Sequence, residues 1–345
     1  MYHTFQTVII PGVIAFAVTI IGTRFLIKYL YGAGIVAEDR NKAKPILLAS
    51  SGGLAVAFGI ITGILAYTFG GTFLFNPVLS ISSLLAVSLS IVLISLVGFI
   101  DDINVKREKV MSTDMMDIRE GLKQWQKPLL TVIGALPLIA INAGVSTIAV
   151  PFFGTINFGL FYPLALLPLA VVFVSNAVNL LGGFDGLQPG MALVASLGMF
   201  IYSLMYGTPM GTLLSTLLLA SVLAFLPFNA WKSKIIPGDS FTYAVGAMLV
   251  AIMVMGNEEA FGFIVFIPWT IEFFLHLRRR FQVTDLGIRQ KDGTFKPPYG
   301  KKIYSLTHLI MNMKKASEYE VSLYLSMIEA LFVILAFLLK FLALL

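Results

Sequence analysis

Apolar runs of about twenty residues, the length one helix needs to cross a bilayer, alternate with short polar stretches along almost the whole chain. About ten such runs can be marked, at roughly 6–28, 52–70, 78–100, 128–146, 160–180, 190–206, 210–228, 241–256, 261–277 and 321–343. Successive loops then fall on alternate sides. One set is 29–51, 101–127, 181–189, 229–240 and 278–320; the other is 71–77, 147–159, 207–209, 257–260 and both termini. The pattern predicts an all-α polytopic membrane protein of a single domain, residues 1–345, with about ten transmembrane helices. Within the last long loop, Asp292-Gly293 separates two short β-prone pieces and predicts a β-hairpin. Residues 111–126 mix apolar and charged positions at helical spacing, which fits an interfacial segment with Trp125 at headgroup level, or a solvated connector.

Composition agrees: 58% of the 345 residues are hydrophobic and 12% charged, against roughly 45–50% and about 25% in ordinary globular domains. Charge fixes the orientation. Of the 24 Lys and Arg residues only Lys340 lies near the second set of loops, so the positive-inside rule makes the first set cytoplasmic and puts both termini on the opposite side. The acids follow the same loops except Glu258, Glu259 and the intramembrane pair Glu272 and Glu329. The first run, Phe5 to Leu30, is too long for a signal-peptide core and lacks a basic segment before it, so it reads as a retained span. The absence of cysteine excludes disulfides, thiolate catalysis and cysteine-ligated metals. There is no fixed-period repeat and no soluble domain, and nothing suggests a nucleic-acid partner.

Four polar clusters sit where spans meet the cytoplasmic side. "LVGFIDDINVKREK" ends an apolar run on Asp101 and Asp102, two adjacent carboxylates that need water, a cation or a phosphate-handling site. "NAVNLLGGFDGL" places Asn176 and Asn179 on one helix face and surrounds Asp185 with glycines; "FNAWKSKIIPGDSF" carries Asp239 after Pro237-Gly238; and His276 precedes the run Arg278-Arg279-Arg280. Each has an ordinary structural reading. Asp239 could cap a helix, the asparagines could join helices, the glycines could serve a turn, and the arginines could anchor topology. Convergence on one face favours a phosphate substrate held by a hard divalent cation, Mg²⁺ with Mn²⁺ as the alternative ion, for which Asp185 and Asp239 suit as oxygen ligands.

The order "GFIDD", "NAVNLLGGFDGL", "FNAWKSKIIPGDSF" and a basic last loop resembles the polyprenyl-phosphate N-acetylhexosamine-1-phosphate transferases over nearly the whole chain. The bacterial peptidoglycan branch carries "TDGLDGLA" in the second motif and a histidine-rich last loop, whereas here Gly182 replaces the first aspartate. "FNAWKSKIIPGDSF" and "DRNK", Asp39 to Lys42, are closer to the eukaryotic dolichyl-phosphate GlcNAc-1-phosphate transferase. The mixture suggests an archaeal member. The resemblance implies transfer of GlcNAc-1-phosphate from UDP-GlcNAc to a polyprenyl or dolichyl phosphate, the first membrane step of N-glycosylation-type glycan assembly. It implies Asp185 and Asp239 as Mg²⁺ ligands, Asp101 and Asp102 beside the lipid phosphate, and Lys127 in "QKPLL" on phosphate. Arg278 and Arg280 would hold the pyrophosphate, with His276, Asn176 and Asn179 as further substrate-binding residues, and Asp39, Asn41, Lys42 and Lys44 bordering the cleft. Relatives are often dimers, which leaves a homodimer open. The competing expectations are transfer of phospho-MurNAc-pentapeptide and, from another class, a secondary transporter coupling ions through Glu272 and Glu329. A lipid phosphate is already largely dianionic at neutral pH, so direct displacement is expected over a covalent intermediate on Asp101 or Asp102.

Overall fold

The computed structural model describes residues 2–75, 77–103, 122–150, 154–230 and 232–344. Eight helices among them are long and apolar enough to cross a membrane. They are α1 (Tyr2–Gly32), α2 (Gly53–Phe73), α3 (Ile81–Ile103), α6 (Leu167–Leu180, entered through a π-helical turn at Tyr162–Leu166), α7 (Leu187–Met205), α8 (Pro209–Asn229), α9 (Gly238–Gly256) and α13 (Glu318–Phe341). The ninth expected span forms as α10 (Glu259–Val265) and α11 (Ile267–Leu277), bent by 55° where Pro268 opens the second piece. The fourth forms a shorter apolar helix over residues 126–140, comprising α4 (Gln126–Thr131), one 3-10 turn and α5 (Leu136–Ala140), with Pro137 at the second junction. The count of ten therefore rests on two interrupted helices, and eight are uninterrupted.

Small elements cover the ends. The expected hairpin in the last loop is present as β5 (Ile288–Arg289) and β6 (Thr294–Lys296), turning at Gly293 with φ +83°, and β7 (Ala316–Ser317) adds a third strand. Two hairpins were not anticipated: β1 (Val36–Asp39) with β2 (Ile46–Ala49), and β3 (Thr147–Val150) with β4 (Gly154–Asn157). A helix α12 (Leu306–Met313) precedes β7. Most of the interfacial segment expected at 111–126 lies outside the described residues; Trp125, at its end, is exposed.

α9 is the central helix, with Phe241, Tyr243, Val245, Met248 and Ile252 fully enclosed. α2, α3, α6 and α8 surround it. Outward faces of α1 and α3 instead show Ile10, Ile21, Phe25, Leu85 and Leu96, side chains suited to lipid tails and not to water. Two glycines allow α3 and α2 to touch the start of α9. A Cβ at Gly98 would stand 2.5 Å from the Asp239 carbonyl, and Gly53 packs directly on the backbone of Phe241. The loops at this end are bonded to one another. Ile236 N–H donates to Ala49 O at 2.8 Å, Gly52 N–H to Ile236 O at 3.0 Å, and the Arg289 guanidinium to Asn41 O at 2.9 Å.

Candidate active site

Asp101, Asp102, Lys127, Asn179 and Asp239 meet at this end of the bundle. Asp101 and Asp102 close the last turn of α3, Lys127 opens α4, Asn179 ends α6 and Asp239 opens α9. The Lys127 ammonium lies 2.5 Å from Asp101 Oδ2 and 2.9 Å from Asp239 Oδ2, and Asn179 Nδ2 donates to the same Asp239 oxygen at 3.0 Å. Thr242, one turn further along α9, donates to Asn179 Oδ1 at 3.0 Å and orients the amide. Asn176 stands behind this group, donating to Thr131 Oγ1 at 2.9 Å and to Val172 O, which makes it a joint between α6 and α4.

The two adjacent aspartates do different work. Asp102 accepts from the Asp239 N–H at 2.8 Å, from the Ser240 N–H at 3.3 Å and from the Ser51 hydroxyl at 2.8 Å. Those amides are orphan donors of the first turn of α9, so Asp102 caps that helix from a different part of the chain. Gly238, at φ +74°, turns the chain into α9 directly against the Asp102 carboxylate, where no side chain would fit. Asp239 is thus a first-turn residue of α9 and does not cap it. Asp101 keeps one oxygen for Lys127, while the other accepts the Leu122 N–H at 2.6 Å.

Asp185 belongs to a second cluster. The Lys42 ammonium bonds Asp185 Oδ2 at 2.6 Å, Glu318 Oε2 at 2.7 Å and Asp39 Oδ2 at 3.2 Å. Asn41 donates to Gly183 O and to Glu318 Oε1, and the Ser233 N–H donates to Asp185 Oδ2 at 3.0 Å. Three carboxylates, Asp39, Asp185 and Glu318, converge around Lys42, and its ammonium fills the centre. Burial opposes charge on Lys42, yet Asp185 and Glu318 outweigh it and hold its ammonium above the usual lysine range. Burial also raises Asp185, against the pull of Lys42 and Ser233. Glu318 was missed in the sequence, although Ser317-x-x-Glu320 forms the capping box that marks the start of α13.

The remaining expected residues scatter. His276 is buried and engaged by acids outside both clusters, its Nε2 lying 2.8 Å from Glu272 and 2.9 Å from Asp285. The reason is helical spacing: Glu272 stands four residues earlier on the same face of α11. Arg278 is exposed, lies over Tyr304 and donates to Ile303 O at 3.3 Å; Arg280 and Lys44 are exposed. None of these three bonds a cluster carboxylate among the described residues. Glu329 is fully buried, with both carboxylate oxygens unpartnered among the described residues.

Donors at the first cluster suit a hard divalent cation. Asp101 and Asp239 offer carboxylate oxygens that face one cation already, the Lys127 ammonium, whereas both Asp102 oxygens are committed to N–H and O–H donors.

A multi-pass bundle with carboxylates, an amide and a lysine gathered at one end, where spans give way to loops, defines a membrane enzyme that handles charged substrates beside the lipid. The chain belongs to glycosyl transferase family 4, whose model matches residues 84–257 and so includes α3, α6 and the start of α9. It is 32% identical over 335 residues to a candidate UDP-N-acetylglucosamine–dolichyl-phosphate N-acetylglucosaminephosphotransferase of Saccharolobus solfataricus, covering 96% of this chain and 97% of that one. A protein of the same name from Sulfolobus acidocaldarius is 30% identical over 332 residues, 95% of each. The phospho-N-acetylmuramoyl-pentapeptide-transferase of Streptococcus mutans is 28% identical over 274 residues, 77% of each. The family excludes the transporter reading.

Proposed function

We propose that the protein transfers GlcNAc-1-phosphate from UDP-GlcNAc to a dolichyl or other polyprenyl phosphate, giving the lipid-diphosphate-GlcNAc and UMP. The observation that carries this reading is the Lys127 ammonium held between Asp101 and Asp239 at the shared end of α3, α4 and α9. The names of the two archaeal relatives, each matched over nearly the full chain, support the donor and acceptor.

In the reaction an oxygen of the lipid phosphate attacks the β-phosphorus of UDP-GlcNAc, and the bond from that phosphorus to the bridging oxygen breaks, releasing UMP with the electron pair. The lipid phosphate needs little help from a base, since a phosphate monoester is mostly dianionic at pH 7. The chain's contribution is therefore charge and alignment. Lys127 can exchange a carboxylate for a phosphate oxygen and neutralise the incoming anion. Asn179 and Thr242 hold Asp239 in place, and Asp102 fixes the turn that carries it. Asp101 and Asp239 would hold Mg²⁺ or Mn²⁺, which when bound supplies counter-charge to the diphosphate. The Lys42 cluster borders the same face and supports recognition of the nucleotide end of the donor.

The Lys and Arg distribution supports a cytoplasmic site. α1 runs into the first loop at the site end and α13 starts there, which supports placing both termini on the opposite side. The deciding experiment measures UMP release by detergent-solubilised protein given polyprenyl phosphate, Mg²⁺ and either UDP-GlcNAc or UDP-MurNAc-pentapeptide. Lipid- and Mg²⁺-dependent release from UDP-GlcNAc alone is expected. Release only from the MurNAc donor, or none from either, overturns the assignment.

A further inference from the structure

We propose that Glu272, His276 and Asp285 form a transition-metal site of the Zn²⁺ class, separate from the Lys127 centre, that clasps the last long loop to α11. Glu272 and His276 are four residues apart on α11, the spacing by which one helix face presents two ligands to one ion. Asp285 arrives from the segment beyond the turn at Arg280 and Phe281, whose φ values are +52° and +62°. Glu272 Oε1, His276 Nε2 and Asp285 Oδ1 lie within 4.8 Å of one another.

Hydrogen bonding alone leaves this trio unsatisfied. A single ring nitrogen, Nε2, faces both carboxylates, at 2.8 Å and 2.9 Å, and one N–H serves one of them well. Glu272 is 0% exposed, and its Oε1, 2.8 Å from His276 Nε2, points into the cluster without a well-aligned hydrogen-bond donor. A buried carboxylate oxygen that shares one N–H with a second carboxylate is poorly satisfied, and a divalent cation would satisfy both. The outer oxygens are already held as ligand oxygens usually are. Glu272 Oε2 accepts the Leu306 N–H at 2.7 Å, and Asp285 Oδ2 accepts the Gly182 N–H at 3.2 Å. Zinc bonds of about 2.0–2.2 Å in a tetrahedral arrangement need the ligand atoms about 3.3 Å apart, an opening of roughly half an ångström. The three protein ligands leave one position for water. Through Gly182 the ion would also tie the last loop to the glycine-rich turn before α7, whatever the sugar donor.

The test measures metal content of the full-length protein purified without chelator, and then follows Co²⁺ absorption and thermal midpoint as Zn²⁺ or Co²⁺ is added to metal-stripped wild type. About one transition-metal ion per chain is expected, with a Co²⁺ d–d band and a raised midpoint on addition. Asp285→Asn should lose the ion at least tenfold while Lys127→Met retains it. No stoichiometric metal, with no band and no change of midpoint in the wild type, overturns the proposal and leaves a proton-bridged ion pair. Loss of the ion in Lys127→Met but not in Asp285→Asn overturns it equally.

Discussion

Replacing Gly98 with alanine tests whether the close contact of α3 with α9 sets the catalytic geometry. The added methyl would stand 2.5 Å from the carbonyl carbon and oxygen of Asp239 and from the nitrogen of Ser240. Ordinary contact is about 3.5–4 Å, so the helices must part by about 1 Å. All three obstructing atoms are backbone, and no side-chain rotation can relieve them. Asp101 and Asp102 follow Gly98 by three and four residues, on the same face of α3, so the shift carries both away from Asp239. It stretches the 2.8 Å bond from the Asp239 N–H to Asp102 past useful length. Overpacking costs about 1–3 kcal/mol, partly offset by the better helix propensity of alanine, about 1 kcal/mol. Stability is therefore a poor discriminator and turnover a good one, since a displacement of about 1 Å at reacting groups costs on the order of 100-fold. The assay is UMP release from UDP-GlcNAc by protein that elutes as a single peak in detergent. Turnover within twofold of wild type, in a folded variant, would refute the reasoning.

Lys127→Met should lower turnover by about 10- to 100-fold, the worth of a charge-assisted contact, with the protein still folded; turnover near that of wild type would remove Lys127 from the reaction. Lys42→Ala leaves Asp39, Asp185 and Glu318 facing each other and should destabilise by up to about 3–5 kcal/mol, read as a lower thermal midpoint. Adding Glu318→Gln to that variant should recover part of the loss, and no recovery would mean that repulsion within the trio is not the cause. Burial lowers the pKa of His308, whose Nε2–H serves Thr284 O at 2.9 Å. The folded protein then binds the proton less readily than the unfolded chain, so its contribution is intact above about 6.5 and is lost as pH falls below it. Thermal midpoints taken at about pH 7.5 and about pH 5.5 should fall more for wild type than for His308→Asn, and equal falls would clear the histidine.

Much of this was legible in sequence because bilayer length is a strong constraint. The spans at 190–206 and 210–228 fall within a few residues of α7 and α8. The interrupted helices at 126–140 and 259–277 read as plain spans because apolarity persists through their breaks. The hairpin at Asp292-Gly293 announces itself through its turn, whereas β1 and β2 are specified by what they lie against, including Ile236. Motifs located the carboxylates but not what each one faces. Asp102 looks equivalent to Asp101, yet its partners are backbone amides of residues 137 and 138 positions away. Asp185 sits among glycines that suggest phosphate, while its actual partners are Lys42, which the "DRNK" resemblance placed only at the cleft border, and Glu318, which no site motif marks.

The bond from Lys42 to Glu318 joins residues 276 positions apart, so one side of this centre is made before α2 is and the other only with the last helix. A ribosome delivers the chain from its N-terminus, and until α13 threads into the bilayer Lys42 has no Glu318 to hold. A half-inserted chain thus carries an incomplete centre, in which Lys42 faces Asp39 and Asp185 alone and the Glu318 link that ties the first loop to the last helix is still to be made.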